Sequence, residues 1–204
     1  LRPDIQILSI PRDLWVFIPG IGENRINTAH FFAEANLAGS GPQAVIETIE
    51  TNFGVRPHFY ARVRFSGFRD IVDAMGGLEI NLADPAGGFE SGRHHLNGEE
   101  ALAFARDRQD GDDFGRMKQG QIVLVAAAKR MLNPLVWPRI PAVAAAFFQS
   151  VDTNLPVWQW PRLALALARA GSDGIDQRTL TREMTTPFTT DQGAQVLAPN
   201  WDLI

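Results

Sequence analysis

A layered α/β/α fold, with a central mixed sheet flanked by helices, is predicted for this chain. Three observations predict it. Short apolar runs such as DIQILSI and LEINL have the length and composition of buried strands. Between them, apolar residues recur at helical spacing, as at Val45, Ile46, Ile49 and Phe53. The two kinds of segment alternate along most of the 204 residues. With 45% hydrophobic residues the chain has enough apolar surface for one domain over 1–204. Its motif-bearing core is expected over about 5–133, with 134–204 an extension of the same domain.

The elements are justified in chain order. Residues 5–10 form an apolar strand stopped by Pro11, which has no N–H to give a ladder. Arg12 and Asp13 therefore stand just past a strand's carboxyl end, where open α/β sheets bind ligands. LWVFIPG resumes apolar and turns at Pro19-Gly20. Asn27 is expected to cap a helix beginning at Thr28, with Ala29, Phe32 and Ala33 on one side. Arg25 precedes it, where an anion would meet free N–H groups, although a plain surface charge fits the spacing equally well. Pro42 suits the first turn of the next helix, and Gly54 its left-handed end.

A strand follows over 57–65, with Phe59, Ala61, Val63 and Phe65 on one face and His58, Tyr60, Arg62 and Arg64 on the other. Two arginines on one face of a half-buried strand want an anion or a carboxylate. Ser66 is expected to cap a helix that buries Phe68, Ile71, Val72 and Met75 and ends at Gly76-Gly77. LEINL is then a strand, and 83–92 a loop rich in glycine and proline. Asn97 with Glu100 three residues on forms a capping box for a helix whose apolar side is Ala101, Leu102, Phe104 and Ala105. A second helix begins near Asp112 or Asp113. It carries Ile122, Val125, Ala126 and the stem of Lys129 on one stripe, with Leu124, Ala128 and Leu132 beside it. Pro134, Pro138 and Pro141 end that helix. Beyond 142, a helix starts near Pro161, DQRTLTREMTTPFTT gives strand and turn, and GAQVLAPNWDLI a closing strand. Trp158, Trp160 and Trp201 are expected to be packing residues.

The chemistry concentrates in 97–121. Arg106, Arg108 and Arg116 stand close together with Asp107, Asp110, Asp112 and Asp113 among them, between two well-anchored helices. One account is a solvated loop of local ion pairs, worth little to stability. The other is an anion site, because a guanidinium stays charged at physiological pH and its planar fork matches phosphate oxygens. Net charge is −4, which argues against a broad nucleic-acid footprint, so an anion site must be local. With no cysteine, thiol chemistry is excluded. His30, His58, His94 and His95 lack metal-ligand spacing, and no G-x-S-x-G, H-E-x-x-H or Walker-type run is present. No apolar run reaches the ~18 residues of a membrane helix.

The run ALAFARDRQDGDDFGR resembles the most characteristic segment of the LytR-CpsA-Psr family of bacterial cell-wall enzymes, "ALxYxRxR", an acidic loop, then "DFGR". SIPRD at 9–13, RINTA at 25–29 and GFRDIVDAMGGLEI at 67–80 match three further hallmarks in the family's order. The resemblance implies transfer of a glycopolymer from a polyprenyl-pyrophosphate carrier to peptidoglycan or a related wall acceptor. The new phosphodiester forms at a sugar hydroxyl, and Mg²⁺ assists at the pyrophosphate. It implies Arg12, Arg25, Arg62, Arg106, Arg108 and Arg116 as pyrophosphate ligands, with Arg12, Arg108 and Arg116 in the catalytic role. An apolar tunnel for the lipid is expected between sheet and helices, with Ile71, Val72, Ile122 and Val125 as candidate lining residues, plain core packing being the favoured role for each of the four.

The same resemblance implies work at the extracytoplasmic face of the membrane, anchored by an N-terminal helix that this chain lacks. The chain is thus expected to be N-terminally truncated. Asp13 is its one motif aspartate for the metal, the main carboxylates being expected upstream. Two departures stand out. Where the family continues "DFGR-x-x-RQQ", this chain has DFGRMKQGQ, so Gln119 replaces an arginine and Gly120 a glutamine. Arg64 stands where the family has an acidic or amide residue. A non-catalytic module that binds polyprenyl pyrophosphate, and a pyrophosphate hydrolase, are the alternatives.

Overall fold

The computed structural model describes residues 5–107, 113–171 and 174–204. The chain opens with β1 (Ile5–Ser9), β2 (Trp15–Ile18) and β3 (Gly22–Arg25), followed by α1 (Thr28–Asn36) and α2 (Gly41–Phe53). Next come β4 (Ala61–Val63), α3 (Phe65–Ala74), β5 (Leu78–Leu82), β6 (Gly92–Leu96), α4 (Gly98–Arg106) and α5 (Asp113–Leu132). The remainder is α6 (Ile140–Ser150), β7 (Val151–Thr153), α7 (Trp160–Ala170), β8 (Ile175–Thr179), β9 (Thr185–Thr189) and β10 (Gln195–Pro199). Short 3₁₀ turns at Pro134–Arg139 and Val157–Gln159 lead into α6 and α7. The mixed α/β class is therefore present, with the strands paired two by two.

Two compact units are formed. The first combines β1 with Ala61–Thr179. In it β1 runs parallel to β8, while β4 pairs antiparallel with β7 and β5 with β6. Val72 from α3 with Met75 at its C-cap, Leu78, Ile80 and Leu82 from β5, Phe104 from α4 and Val123 from α5 close its core. The inward alternation of β5 matches the period-two pattern of LEINL. The second unit combines Ile10–Tyr60 with Leu180–Ile204. Its ladders are β2 with β3 and β9 with β10, and its core holds Leu14, Val16, Ile18, Ile26, Ala29 and Leu180.

Local signals set most helix ends. The Asn97 side chain accepts from the Glu100 N–H, and Glu100 Oε2 accepts from the Asn97 N–H, both at 2.9 Å. That reciprocal pair is the capping box. Asp73 Oδ1 takes the Gly98 N–H at 2.7 Å. A side chain at Gly98 would lie 2.4 Å from the Arg69 carbonyl oxygen, so α4 approaches α3 only because residue 98 has none. Asn97→Ala is expected to cost about 1 kcal/mol, read as a lower urea midpoint with unchanged slope. An unshifted midpoint would show that Asp73 alone fixes this helix start.

Several expectations are corrected. Asn27 has helical backbone angles and makes no side-chain cap; Thr28 Oγ1 instead donates to the Arg25 carbonyl at 2.7 Å. The strand expected over 57–65 is only Ala61–Val63, and all three of its residues are exposed. It is short because α3 already begins at Phe65, with Arg64 rather than Ser66 at its N-cap position. Strand β6 and helix α6 were not expected. β6 hides in a glycine-flanked, histidine-bearing run, and α6 begins with Pro141 in its first turn, where proline starts a helix rather than breaking one. On α5 the buried stripe is Val123, Val125 and Ala126 with Gln119 and Gln121, and Leu124 is exposed. The aligned expectations for Gly54, Gly76-Gly77 and Pro161 hold.

Candidate functional site

In the second unit, Pro11, Arg12 and Asp13 form a turn in which the Leu14 N–H reaches the Pro11 carbonyl at 3.1 Å. The Arg12 and Asp13 carbonyls accept from Asn27 and Leu197, and the Leu14 carbonyl accepts from Ile26. These bonds bring the RINTA segment beside the turn. Arg12 Nε donates to Asp13 Oδ2 at 3.2 Å, and Arg25 Nη1 lies 3.5 Å from Asp13 Oδ1. Asp13 is the most enclosed of the three, and both guanidinium groups keep a third or more of their surface open. Asp13 therefore orients two guanidinium forks, Arg12 and Arg25, beside one turn.

In the first unit, Arg106 closes α4 and Arg116 falls in the first turn of α5. The two positions are electrostatically unlike. A cation in the last turn of α4 complements the helix dipole, whereas one in the first turn of α5 opposes it. The opposition is relieved when an anion binds beside that helix end. Arg106 lies 4.5 Å from the centre of the Phe65 ring, a cation–π contact that aims its guanidinium along the start of α3. Arg116 is half-buried. Arg108 and the loop aspartates Asp110 and Asp112 lie outside the described residues.

Arg62 has a different setting. It faces Asp152 across the β4–β7 ladder, Nη2 to Oδ2 at 2.8 Å, with both side chains about half exposed. This is the carboxylate partner that the strand pattern asked for, on an open surface where such a pair is worth roughly 0–1 kcal/mol. Arg69 has its pKa raised further by a hydrogen bond to Glu99 and by that carboxylate's charge.

Two glutamines of α5 make long-range contacts within the first unit. Gln119 is buried, and its amide nitrogen turns to the carbonyls of Phe104 and Asp107, 3.2 Å each. It thus satisfies acceptors left over at the end of α4, next to Arg106. A donor is retained where the resemblance leads one to expect arginine. Gln121 Nε2 donates to Ser9 Oγ at 2.8 Å and to the Arg178 carbonyl at 2.7 Å, tying the serine of SIPRD to α5. The signal was present in sequence as two amides inside an otherwise apolar helical stripe.

A cavity of about 460 Å³ lies between the β5–β6 hairpin and α5. Ile80, Ile122, Val125 and Ala126 give it an apolar wall, with Glu79, Asn81, Arg93 and Lys129 around them. Of the four residues named for a lipid tunnel, Ile122 and Val125 line this cavity. Val72 and Ile71 belong to the packed core of the same unit instead. From Arg116 to Val125 the rise along α5 is about 13 Å.

Among the described residues no group of three or more His, Asp or Glu side chains is placed to hold a metal. Asp13, already facing two guanidinium groups, does not make an oxygen shell for Mg²⁺ by itself. His94 and His95 project to opposite sides of β6, one bonded to the Glu90 carbonyl and the other to Glu79. Among the described residues, no helix is long and apolar enough to cross a membrane.

The model of the LytR_cpsA_psr family matches residues 2–200. The chain is 34% identical over 164 residues to the regulatory protein MsrR of Staphylococcus aureus, covering 76% of this chain and 48% of that protein. It is 39% identical over 127 residues to the polyisoprenyl-teichoic acid–peptidoglycan teichoic acid transferase TagU of Oceanobacillus iheyensis, covering 59% of this chain and 39% of the relative. The chain thus spans about half or less of the length of these curated relatives. Among solved structures it resembles Bacillus subtilis TagV with a TM-score of 0.79 at 27% identity, over 98% of this chain and 79% of that one. It shares the fold of TagT bound to LI-WTA, with a TM-score of 0.78 at 21% identity, over 97% of this chain and 73% of that one.

Proposed function

The chain belongs to the LytR_cpsA_psr family, and we propose that it transfers a glycopolymer from a polyprenyl-pyrophosphate carrier to peptidoglycan or a related wall acceptor. The observation that carries this reading is the pair of arginines at two successive helix ends, Arg106 ending α4 and Arg116 in the first turn of α5. Similarity to TagU, a polyisoprenyl-teichoic acid–peptidoglycan teichoic acid transferase, supports it. MsrR carries a regulatory name; a net charge of −4 favours a local anion site over a nucleic-acid surface.

In the proposed step an acceptor hydroxyl oxygen attacks the phosphorus that bears the glycopolymer. The bond from that phosphorus to the bridging oxygen breaks, polyprenyl phosphate leaves, and the hydroxyl proton passes to solvent. Negative charge grows on the leaving phosphate, where fixed guanidinium forks stabilise it more than they stabilise the ground state. Arg108 and Arg116 are assigned to the leaving phosphate and Arg106 to orientation of the pyrophosphate. Arg12 and Arg25, held by Asp13, are assigned to the remaining phosphate oxygens. Arg62 is assigned to the outer edge of the site, where ligand competes with Asp152. The lipid is proposed to run along α5 towards the cavity at Ile122 and Val125. The reaction is placed at the extracytoplasmic face of the membrane, where carrier and wall meet.

Incubating a lipid-linked precursor with and without peptidoglycan tests this. Polymer joined to peptidoglycan with release of polyprenyl phosphate is the expected result. Release without acceptor would instead make the protein a hydrolase, and retention of intact precursor a binding module.

A further inference from the structure

Helices α6 and α7, with the 3₁₀ turns that lead into them, leave an unusual amount of apolar surface in water. Val143 is the one buried residue of α6 and Ala170 that of α7. Trp158 is 71% exposed and Trp137 57%, and Phe148, Val157, Leu163 and Leu165 are exposed as well. The Phe148 ring stacks on Trp160 at 5.0 Å and Phe147 meets the same indole edge-on at 4.9 Å. Those contacts join the end of α6 to the start of α7. Isolated exposed apolar residues need no explanation, but so many exposed apolar side chains on two successive helices and their leading turns mark an interaction surface.

Charge indicates what covers it. The chain carries −4 overall, yet residues 133–171 hold three arginines, Arg139, Arg162 and Arg169, against a single carboxylate, Asp152. That carboxylate is engaged by Arg62. Arg162 and Arg169 stand seven residues apart on α7, which places them on one flank of the helix. Exposed indoles beside arginines, with a single acid in the same segment, are the composition of a helix that lies in a lipid headgroup region.

We propose that the surface formed by α6, α7 and their leading turns docks on an anionic phospholipid bilayer, with Trp137 and Trp158 entering the headgroup region and Arg162 and Arg169 meeting lipid phosphates. The proposal stands on exposure and charge, independently of the transfer reaction. Its test needs no polyprenyl substrate, so failure of one leaves the other intact.

The chain is sedimented with vesicles of phosphatidylcholine alone and of phosphatidylcholine with phosphatidylglycerol in equal parts, and tryptophan emission is recorded. Binding to the mixed vesicles with a blue shift is expected, with little binding to the neutral ones. Arg162→Gln and Arg169→Gln are each expected to weaken partitioning about fivefold. The double variant Trp137→Ser/Trp158→Ser is expected to lose more than about tenfold and most of the shift. Thermal melts matching the parent chain confirm that these exposed substitutions leave the fold intact. A chain that stays in the supernatant with both vesicle types overturns the proposal, as does binding that all variants retain. Concentration-dependent dimers abolished by the tryptophan substitutions, without vesicle binding, overturn it in favour of an interface between copies.

Discussion

Replacing Arg116 by alanine is expected to lower transfer from a polyprenyl-pyrophosphate donor about 10²- to 10³-fold, or about 3–4 kcal/mol, the usual loss of one electrostatic stabiliser. The expectation follows from its position. Arg116 is half-buried in the first turn of a 20-residue helix, where its charge opposes the helix dipole. A ligand phosphate at that end is attracted by the guanidinium and by the positive pole of the helix together. Arg116→Lys keeps the charge but loses the planar fork, so it is expected to recover only part of the rate. Initial rates measured beside thermal melts separate chemistry from folding. If alanine leaves the rate unchanged, or lowers it only by unfolding the chain, Arg116 is a structural ion-pair residue and the assignment fails. The same loss is expected for Arg108→Ala, on its charge and spacing.

The largest stability effect is expected at Phe104. Its side chain is fully buried, and its ring meets Phe89 edge-on at 6.1 Å within the core that joins α3, β5, α4 and α5. Gly87 lies so close that a side chain there would come within 2.4 Å of the ring, so no neighbouring Cβ fills the space on that side. Phe104→Ala is expected to cost about 3–5 kcal/mol, the sum of lost transfer energy and an unfilled cavity. Activity should fall with it. The Phe104 carbonyl accepts from Gln119 and from the Asp107 N–H, so the same residue seats the start of the arginine loop. Urea unfolding gives the measurement. A cost below about 1 kcal/mol would mean that the core collapses around the gap and that α4 is anchored mainly by its cap.

What the sequence determined by itself is what closes within a few residues. The capping box of Asn97 and Glu100, the proline starts at Pro42 and Pro161, and the glycine ends at Gly54 and Gly76-Gly77 each satisfy or free backbone groups inside one helical turn. The motif order and the spacing of Arg12, Arg25, Arg106, Arg108 and Arg116 were equally legible, because guanidinium chemistry does not depend on the fold. Only the tertiary structure decided the long-range partners. β4 needs β7, with Arg62 opposite Asp152 ninety positions away, and no local rule names that carboxylate. Nor does one say that Gln119 serves the end of α4, or that Gln121 reaches Ser9 and Arg178. A helix cap is paid within its own segment, whereas a ladder or a buried amide is satisfied only by groups the chain brings from elsewhere, and that choice belongs to packing.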